Sequence, residues 1–217
     1  MTSSNEDILA DYTGLNSHKP IIILHPYRDC NIDCSCCYIR HGGEDAFCTF
    51  NKDGLILSAK ATEKLMVAAK RLDATMFTGA GEPFLYWHEY TLPILIPLAS
   101  KYGIHLTLST NGLWGNNDKI IDELIENFKG VISFSVDYWH KVPIENVNHA
   151  IDRLADPSVK DIIIYMSQIV DKDHPEGHIK PHHFNDMFVK YFEINNNGND
   201  QQALYNHDKQ GNLIKKW

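Results

Sequence analysis

The strongest constraint on this chain is the regular spacing of its apolar runs. Strand-like segments begin near residues 74, 104, 131 and 161, about every 30 residues, which is the length of a strand–helix unit. The segments between them carry helical spacing. Ala61, Leu65, Ala69 and Leu72 follow Ser58, a good N-cap. Ile121, Leu124, Ile125 and Phe128 share one face, with Gly130 read as the C-cap, and Ile144, Val147, Ile151 and Leu154 share another. Strands alternating with helices imply a parallel sheet. Ile21-Ile22-Ile23-Leu24 is a continuous apolar run, read as a strand buried on both faces. The same period predicts a last strand over 188–194, giving six. Eight units need roughly 250 residues, and the chain has 217. The expected fold is therefore α/β: a partial (β/α)6 TIM-like barrel of parallel strands, with the active site at the C-terminal strand ends. Residues 1–19 read as a lead-in, 20–195 as the core domain, and 196–217 as a tail or small hairpin.

Composition narrows the function classes. The formal net charge is −8, whereas nucleic-acid binding needs a basic face for phosphate, so no nucleic-acid partner is expected. The first twenty residues show neither a basic start nor a long apolar run. No stretch is long enough to span a membrane. A cytoplasmic location without membrane attachment is the expectation.

Four of the five cysteines fall within eight residues, Cys30-Asn31-Ile32-Asp33-Cys34-Ser35-Cys36-Cys37, followed by Tyr38. Such crowding is unlike a disulfide framework, whose cysteines are dispersed along a secreted chain. Zinc could use Cys34 and Cys37 with Cys30 or Cys48, but zinc knuckles usually come in pairs and no second one is present. Cys30, Cys34 and Cys37 have the spacing to bind three irons of one [4Fe–4S] cluster. Such clusters normally take four cysteine ligands, so a trio leaves one iron for another ligand.

This C-x3-C-x2-C spacing, together with Gly79-Ala80-Gly81-Glu82-Pro83, resembles the radical S-adenosylmethionine (radical SAM) superfamily across roughly residues 20–170. The family usually has an aromatic residue just before the last cysteine. Here Cys36 stands there and the aromatic Tyr38 comes just after; the family spacing selects Cys37 as the ligand. The resemblance implies that the amino and carboxylate groups of SAM chelate the open iron. Gly79, Ala80 and Gly81 would let backbone approach SAM closely, with Ala80 replacing a family glycine, and Glu82 would supply a carboxylate.

Ser109-Thr110-Asn111-Gly112 is similar to the family's strand-end Thr-Asn-Gly, and makes Ser109 and Asn111 candidates for the SAM carboxylate or ribose. Ser133, Ser135 and Asp137 alternate along one strand toward one face, like the family's Ser-x-Asp; a solvated strand face is the plainer alternative. Gln168 follows the next strand and joins the SAM-side candidates, as does Tyr38. Asp137-Tyr138-Trp139-His140 reads as the substrate side, with Asp137 and His140 as candidate catalytic groups and His140 an acid or base; a surface histidine is equally compatible. His174, His178, His182 and His183 lie among Pro175, Gly177 and Pro181 and read as loop.

The resemblance implies reductive cleavage of SAM to a 5′-deoxyadenosyl radical that takes hydrogen from a small-molecule or peptide/protein substrate, with a reductant such as flavodoxin or ferredoxin. A glycyl-radical activating enzyme fits so compact a chain. With only Cys48 outside the loop, a second fully cysteine-bound cluster has no ligands. The alternative from another class is a non-catalytic zinc- or iron–sulfur-binding module serving structure or regulation.

Overall fold

The computed structural model describes residues 19–27, 29–34, 56–78, 81–137, 139–168, 179 and 181–183 in full, and the backbone of 169–170, 188–194, 200–201, 205–207 and 213–215. Two compact units emerge. One comprises Met1–Asn31, Tyr38–Ser109 and Asn127–Val131; the other comprises Ile32–Cys37, Thr110–Glu126 and Ile132–Trp217.

In the first unit, β1 (Ile21–Leu24), β2 (Thr75–Thr78) and β3 (Leu106–Thr110) pair in that order, all parallel. The β1 register runs Ile21 to Thr75 through Leu24 to Thr78. β1 is not buried on both faces as its composition suggests: Ile21 and Ile23 are 41% and 58% exposed. The reason is position, since among the described strands β1 stands at the end of the order with one partner. β2 and β3 are almost wholly buried, as expected of parallel strands covered on both sides.

Helix α1 (Ala59–Arg71) starts at Ser58, whose hydroxyl accepts from Ala61 N at 3.3 Å, as the sequence suggests. Its buried stripe is Thr62, Met66 and Ala69 rather than Ala61, Leu65 and Leu72, and Leu72 is 58% exposed. A hydrogen-bond pair allows a polar residue into that stripe. Thr62 Oγ1 donates to Ser58 O at 3.0 Å and, its proton so committed, accepts from the Tyr90 hydroxyl at 2.8 Å. Burial pushes the Tyr90 phenol up to about 12.

The segment Trp87–Leu95 is π-helical and continues as α2 (Ile96–Tyr102); no helix here is legible in the sequence, because Pro93 reads as a breaker. Proline's ring collides with the carbonyl four residues back in an α-helix. The wider turn relieves that conflict: Thr91 N, for example, donates to Tyr86 O, five residues back, at 3.0 Å. Gly103, with φ of 65°, closes α2.

Strand β4 (Gly130–Ser135) begins at Gly130, which therefore belongs to the strand and not to the helix cap. A Cβ there would lie 2.4 Å from Leu106 O, so close backbone approach explains the glycine. Helix α3 (Asp118–Asn127) ends before it, with Ile121 and Leu124 buried and Phe128 just beyond also buried.

In the second unit, α4 (Ile144–Leu154) buries Val147, Ala150, Ile151 and Leu154. β4 neighbours β5 (Ile162–Val170), which pairs in parallel with β6 (Phe188–Ile194). β7 (Asp200–Gln201) runs antiparallel to β6, and β8 (Tyr205–His207) pairs antiparallel with β9 (Leu213–Lys215). No helix among the described residues is long and apolar enough to cross a membrane.

The Thr62–Tyr90 pair gives a direct test of what steers α1. Thr62→Val leaves a buried phenol without its acceptor, a loss of about 1–3 kcal/mol, and should lower the melting temperature by about 3–8 °C. Adding Tyr90→Phe should restore most of that loss in the same thermal scan. A double variant as unstable as the single one would refute the pairing as the cause.

Candidate functional site

The loop after β1 and the loop after β2 meet within the first unit. Gly81 has φ of 69°, a conformation that favours glycine. A Cβ at Gly81 would lie 2.7 Å from Asp29 O and 2.8 Å from the Tyr27 ring. One residue on, Glu82 N donates to Asp29 O at 2.9 Å. The Tyr86 hydroxyl donates to the Asp29 carboxylate, and the Tyr27 ring packs on Tyr86 at 5.5 Å and edge-on to Tyr90 at 5.9 Å. The stem that carries Cys30 is thus fastened at Asp29 to the loop that carries Gly81 and Glu82.

Glu82 is 1% exposed, and its Oε1 accepts from Phe84 N at 3.2 Å. Thr91 Oγ1 donates to Pro83 O at 2.7 Å, and Phe84 stacks on Trp87 at 4.9 Å, so the far side of this loop is anchored on the π-helical segment. Cys30 is half-buried and Cys34 buried, both as thiols. Burial drives the Tyr27 phenol well above its usual range. The hydrogen bond to Asp29, ahead of burial, pushes Tyr86 up to about 12. Both phenols therefore remain protonated near neutrality. Ser109 is the penultimate residue of β3, inside the strand rather than beyond it; its N donates to Thr78 Oγ1 at 2.9 Å.

In the second unit the residues after β3 and β4 form tight turns closed by their own side chains. Thr110 Oγ1 accepts from Gly112 N at 3.1 Å and Trp114 Nε1 at 2.8 Å, and Asn111 Oδ1 accepts from Leu113 N at 2.8 Å. Gly112, with φ of 79°, would place a Cβ 2.9 Å from Val147 Cγ2. Asp137 is 2% exposed, and its Oδ1 accepts from Trp139 N at 2.9 Å and His140 N at 3.1 Å while meeting His140 Nδ1 at 2.8 Å. Where Nδ1 carries the ring proton, it donates to the carboxylate oxygen. Asp137 and His140, named from sequence as the substrate side, are thus in direct contact.

β4 is buried through its interior, so Ser133, Ser135 and Asp137 do not lie on a solvated face. Ser133 is fully buried and faces Ser167 Oγ at 3.2 Å; Ser135 is half-buried. Gln168 lies inside β5, which runs to Val170, rather than past its end, because the pairing with β6 continues to Glu193. Its Nε2 donates to Ile179 O. That carbonyl can only accept, which fixes the amide orientation, and among the described residues Gln168 Oε1 is left buried with no hydrogen-bond partner.

Cys37, Tyr38, Gly79 and Ala80 lie outside the described residues, as do Cys36, Cys48, Tyr138, His174 and His178. His182 Nδ1 and His183 Nε2 both face Asp152, at 3.0 Å and 3.3 Å. Asp29, Tyr86 and Ser167 were not among the residues singled out from sequence. Asp29 and Tyr86 are 57 positions apart, and no local pattern couples them.

The residues present fit the groups the resemblance implies. In the first unit, the Cys30 thiol and a buried carboxylate, Glu82, whose backbone N–H bonds to the cysteine stem, suit an iron–sulfur ligand beside a cationic group.

The Radical SAM superfamily model matches residues 24–168. Comparison with curated protein sequences finds no match. Among solved structures, native anSMEcpe with bound AdoMet is 18% identical with a TM-score of 0.57, aligning 80% of this chain with 51% of that one. The same protein with AdoMet and the Kp18Cys peptide gives 18% and 0.56, over 81% of this chain and 51% of that one. BtrN in complex with AdoMet and 2-DOIA is 17% identical with a TM-score of 0.49, over 70% of this chain and 58% of that one. The chain thus spans little more than half the length of these neighbours. At such identity the likeness is one of fold, and the fold class is the one expected: α/β, a partial barrel of parallel strands. With the family model covering most of its length, the chain belongs to the radical SAM superfamily.

Proposed function

We propose that the chain is a catalytic radical SAM enzyme in which Cys30, Cys34 and Cys37 ligate a [4Fe–4S] cluster whose open iron takes SAM. The observation that carries this reading is the fastening, within the first unit, of the stem that leads into Cys30 to the Gly81–Glu82 loop at Asp29. When bound, the reduced cluster would supply the electron that cleaves a sulfonium C–S bond of SAM, leaving methionine and a 5′-deoxyadenosyl radical able to take hydrogen from a substrate carbon. The protein's part is to orient SAM and exclude water.

In this reading Glu82 meets the SAM ammonium, with Gly79, Ala80 and Gly81 offering backbone at close range and Tyr38 beside the last ligand. Ser109, Asn111, Ser133, Ser135 and Asp137 belong to the SAM side, and Gln168 Oε1 receives a SAM donor. His140, held by Asp137, is the substrate-side acid or base, and its Nε2 is the atom that gives or takes the proton. The electron comes from a small carrier such as flavodoxin or ferredoxin. AdoMet is bound in both anSMEcpe structures, and a peptide accompanies it in one; a small molecule and a peptide or protein are both open as the substrate here.

The test uses anaerobically purified protein reconstituted with iron and sulfide, reduced with dithionite and given SAM. 5′-Deoxyadenosine should form, and Cys30→Ala, Cys34→Ala and Cys37→Ala should each abolish it. About one zinc per chain, no iron and no product would instead establish the structural metal module. Gln168→Ala should weaken SAM binding about tenfold, the worth of one well-made buried hydrogen bond, in equilibrium binding to reconstituted protein with unchanged iron content. Unaltered binding would remove Gln168 from the SAM site.

A further inference from the structure

Asp29 does two things at once, and they act at opposite ends of the same residue. Its carbonyl accepts from Glu82 N at 2.9 Å and occupies the space a Cβ of Gly81 would need. Its carboxylate accepts from the Tyr86 hydroxyl. Tyr86 is placed for this by the first turn of the π-helical segment, where its carbonyl accepts from both Tyr90 N and Thr91 N, and by its ring contact with Tyr27. The residue after Asp29 is Cys30. Without the side-chain bond, the stem would keep its backbone bond and the Tyr27 ring contacts, but the Asp29 side chain next to Cys30 would lose its hydrogen bond to Tyr86.

We propose that Asp29 and Tyr86 form a clasp that sets the position of Cys30, making Tyr86 a positioning residue for the first cluster ligand. The role in cluster retention rests on the functional reading above; the role in holding Cys30 does not. Tyr86 is half-buried and Asp29 exposed. A hydrogen bond in such a setting is worth about 0.5–1.5 kcal/mol, or roughly three- to tenfold in an equilibrium. The bond needs a donor on residue 86 and an acceptor on residue 29, and charge is secondary, so asparagine should substitute for Asp29.

Two measurements on the full chain test this. In metal-free protein, the rate of Cys30 alkylation by iodoacetamide, read by peptide mass spectrometry, should rise about three- to tenfold in Tyr86→Phe and in Asp29→Ala. The rate at Cys48 serves as the internal reference and should not change. Asp29→Asn should behave as wild type, and the double variant Tyr86→Phe/Asp29→Ala should match either single variant rather than multiply them. In reconstituted protein, release of iron to a ferrous chelator should follow the same ranking. An unchanged Cys30 rate in Tyr86→Phe would overturn the clasp, and so would effects that multiply in the double variant. A wild-type protein that retains no iron would defeat the functional reading, while the alkylation ranking would still decide the clasp.

Discussion

The fold of the first unit turns on one close approach, that of the Gly81 backbone to Asp29 and Tyr27. Any side chain at residue 81 would put a Cβ within 3 Å of Asp29 O and the Tyr27 ring, far inside van der Waals contact. The left-handed backbone at Gly81 then turns Glu82 N onto that same carbonyl. The parallel pairing of β1 with β2 brings the two loops out side by side, and the glycine lets them touch. Tyr27, Tyr86 and Tyr90 fill the space beneath with rings that remain neutral near pH 7. Such a layer is apolar enough to bury yet polar enough to place hydroxyls on Asp29 and Thr62.

The second unit solves a similar problem by different chemistry. Its turns after β3 and β4 are closed by side-chain acceptors: Thr110 Oγ1, Asn111 Oδ1 and Asp137 Oδ1 each take one or more backbone N–H groups of the residues that follow. These are Asx- and Ser/Thr-type turns, in which a short polar side chain replaces a missing backbone partner. The consequence bears on how a ligand would be read. An acceptor already holding its own turn is pre-organised but partly committed, so a ligand must compete for its remaining capacity. Gln168 is different, because its donor end is fixed on Ile179 O and, among the described residues, its acceptor end is buried without a partner. Leaving a buried carbonyl unmatched is costly, so that atom still has its full accepting capacity to offer a donor.

Much of this was legible in the sequence because the period of βα units survives any local ambiguity. Runs such as Val131–Val136 and Ile162–Met166 could be read as strands within a residue or two of one end, and Ser58 announced the start of α1. The misreadings have physical causes. Ile21–Leu24 carries the residues of an interior strand but stands at an edge, and edge position depends on pairing order rather than composition. The buried stripe of α1 is displaced by one residue because Thr62 is satisfied by Tyr90, a partner 28 positions away. The helical stretch from Trp87 to Tyr102 was hidden by Pro93, since a π-helical turn tolerates a proline that an α-helix would not. In the candidate site, the motif residues were legible by spacing. Their supports, Asp29, Tyr86 and Ser167, were not, because a hydrogen bond across 57 or 34 positions leaves no trace in a local pattern.

These two kinds of legibility imply a division of labour along the chain. Residues whose role depends on backbone geometry, such as Gly81 and Gly112, are confined by sterics to one amino acid, and their surroundings would enforce the choice whatever the ligand. Residues whose role is to support others, such as Tyr86 behind Asp29 or Asp137 behind His140, are confined only by the group they hold. His140 shows the point most clearly. Its ring is fixed by a carboxylate that is itself held by two backbone N–H groups, so the geometry of one imidazole is set by a turn of four residues. A histidine kept only for solubility needs no such restraint. Asp137 therefore sets the orientation of the imidazole, Nε2 included, through its direct contact with Nδ1.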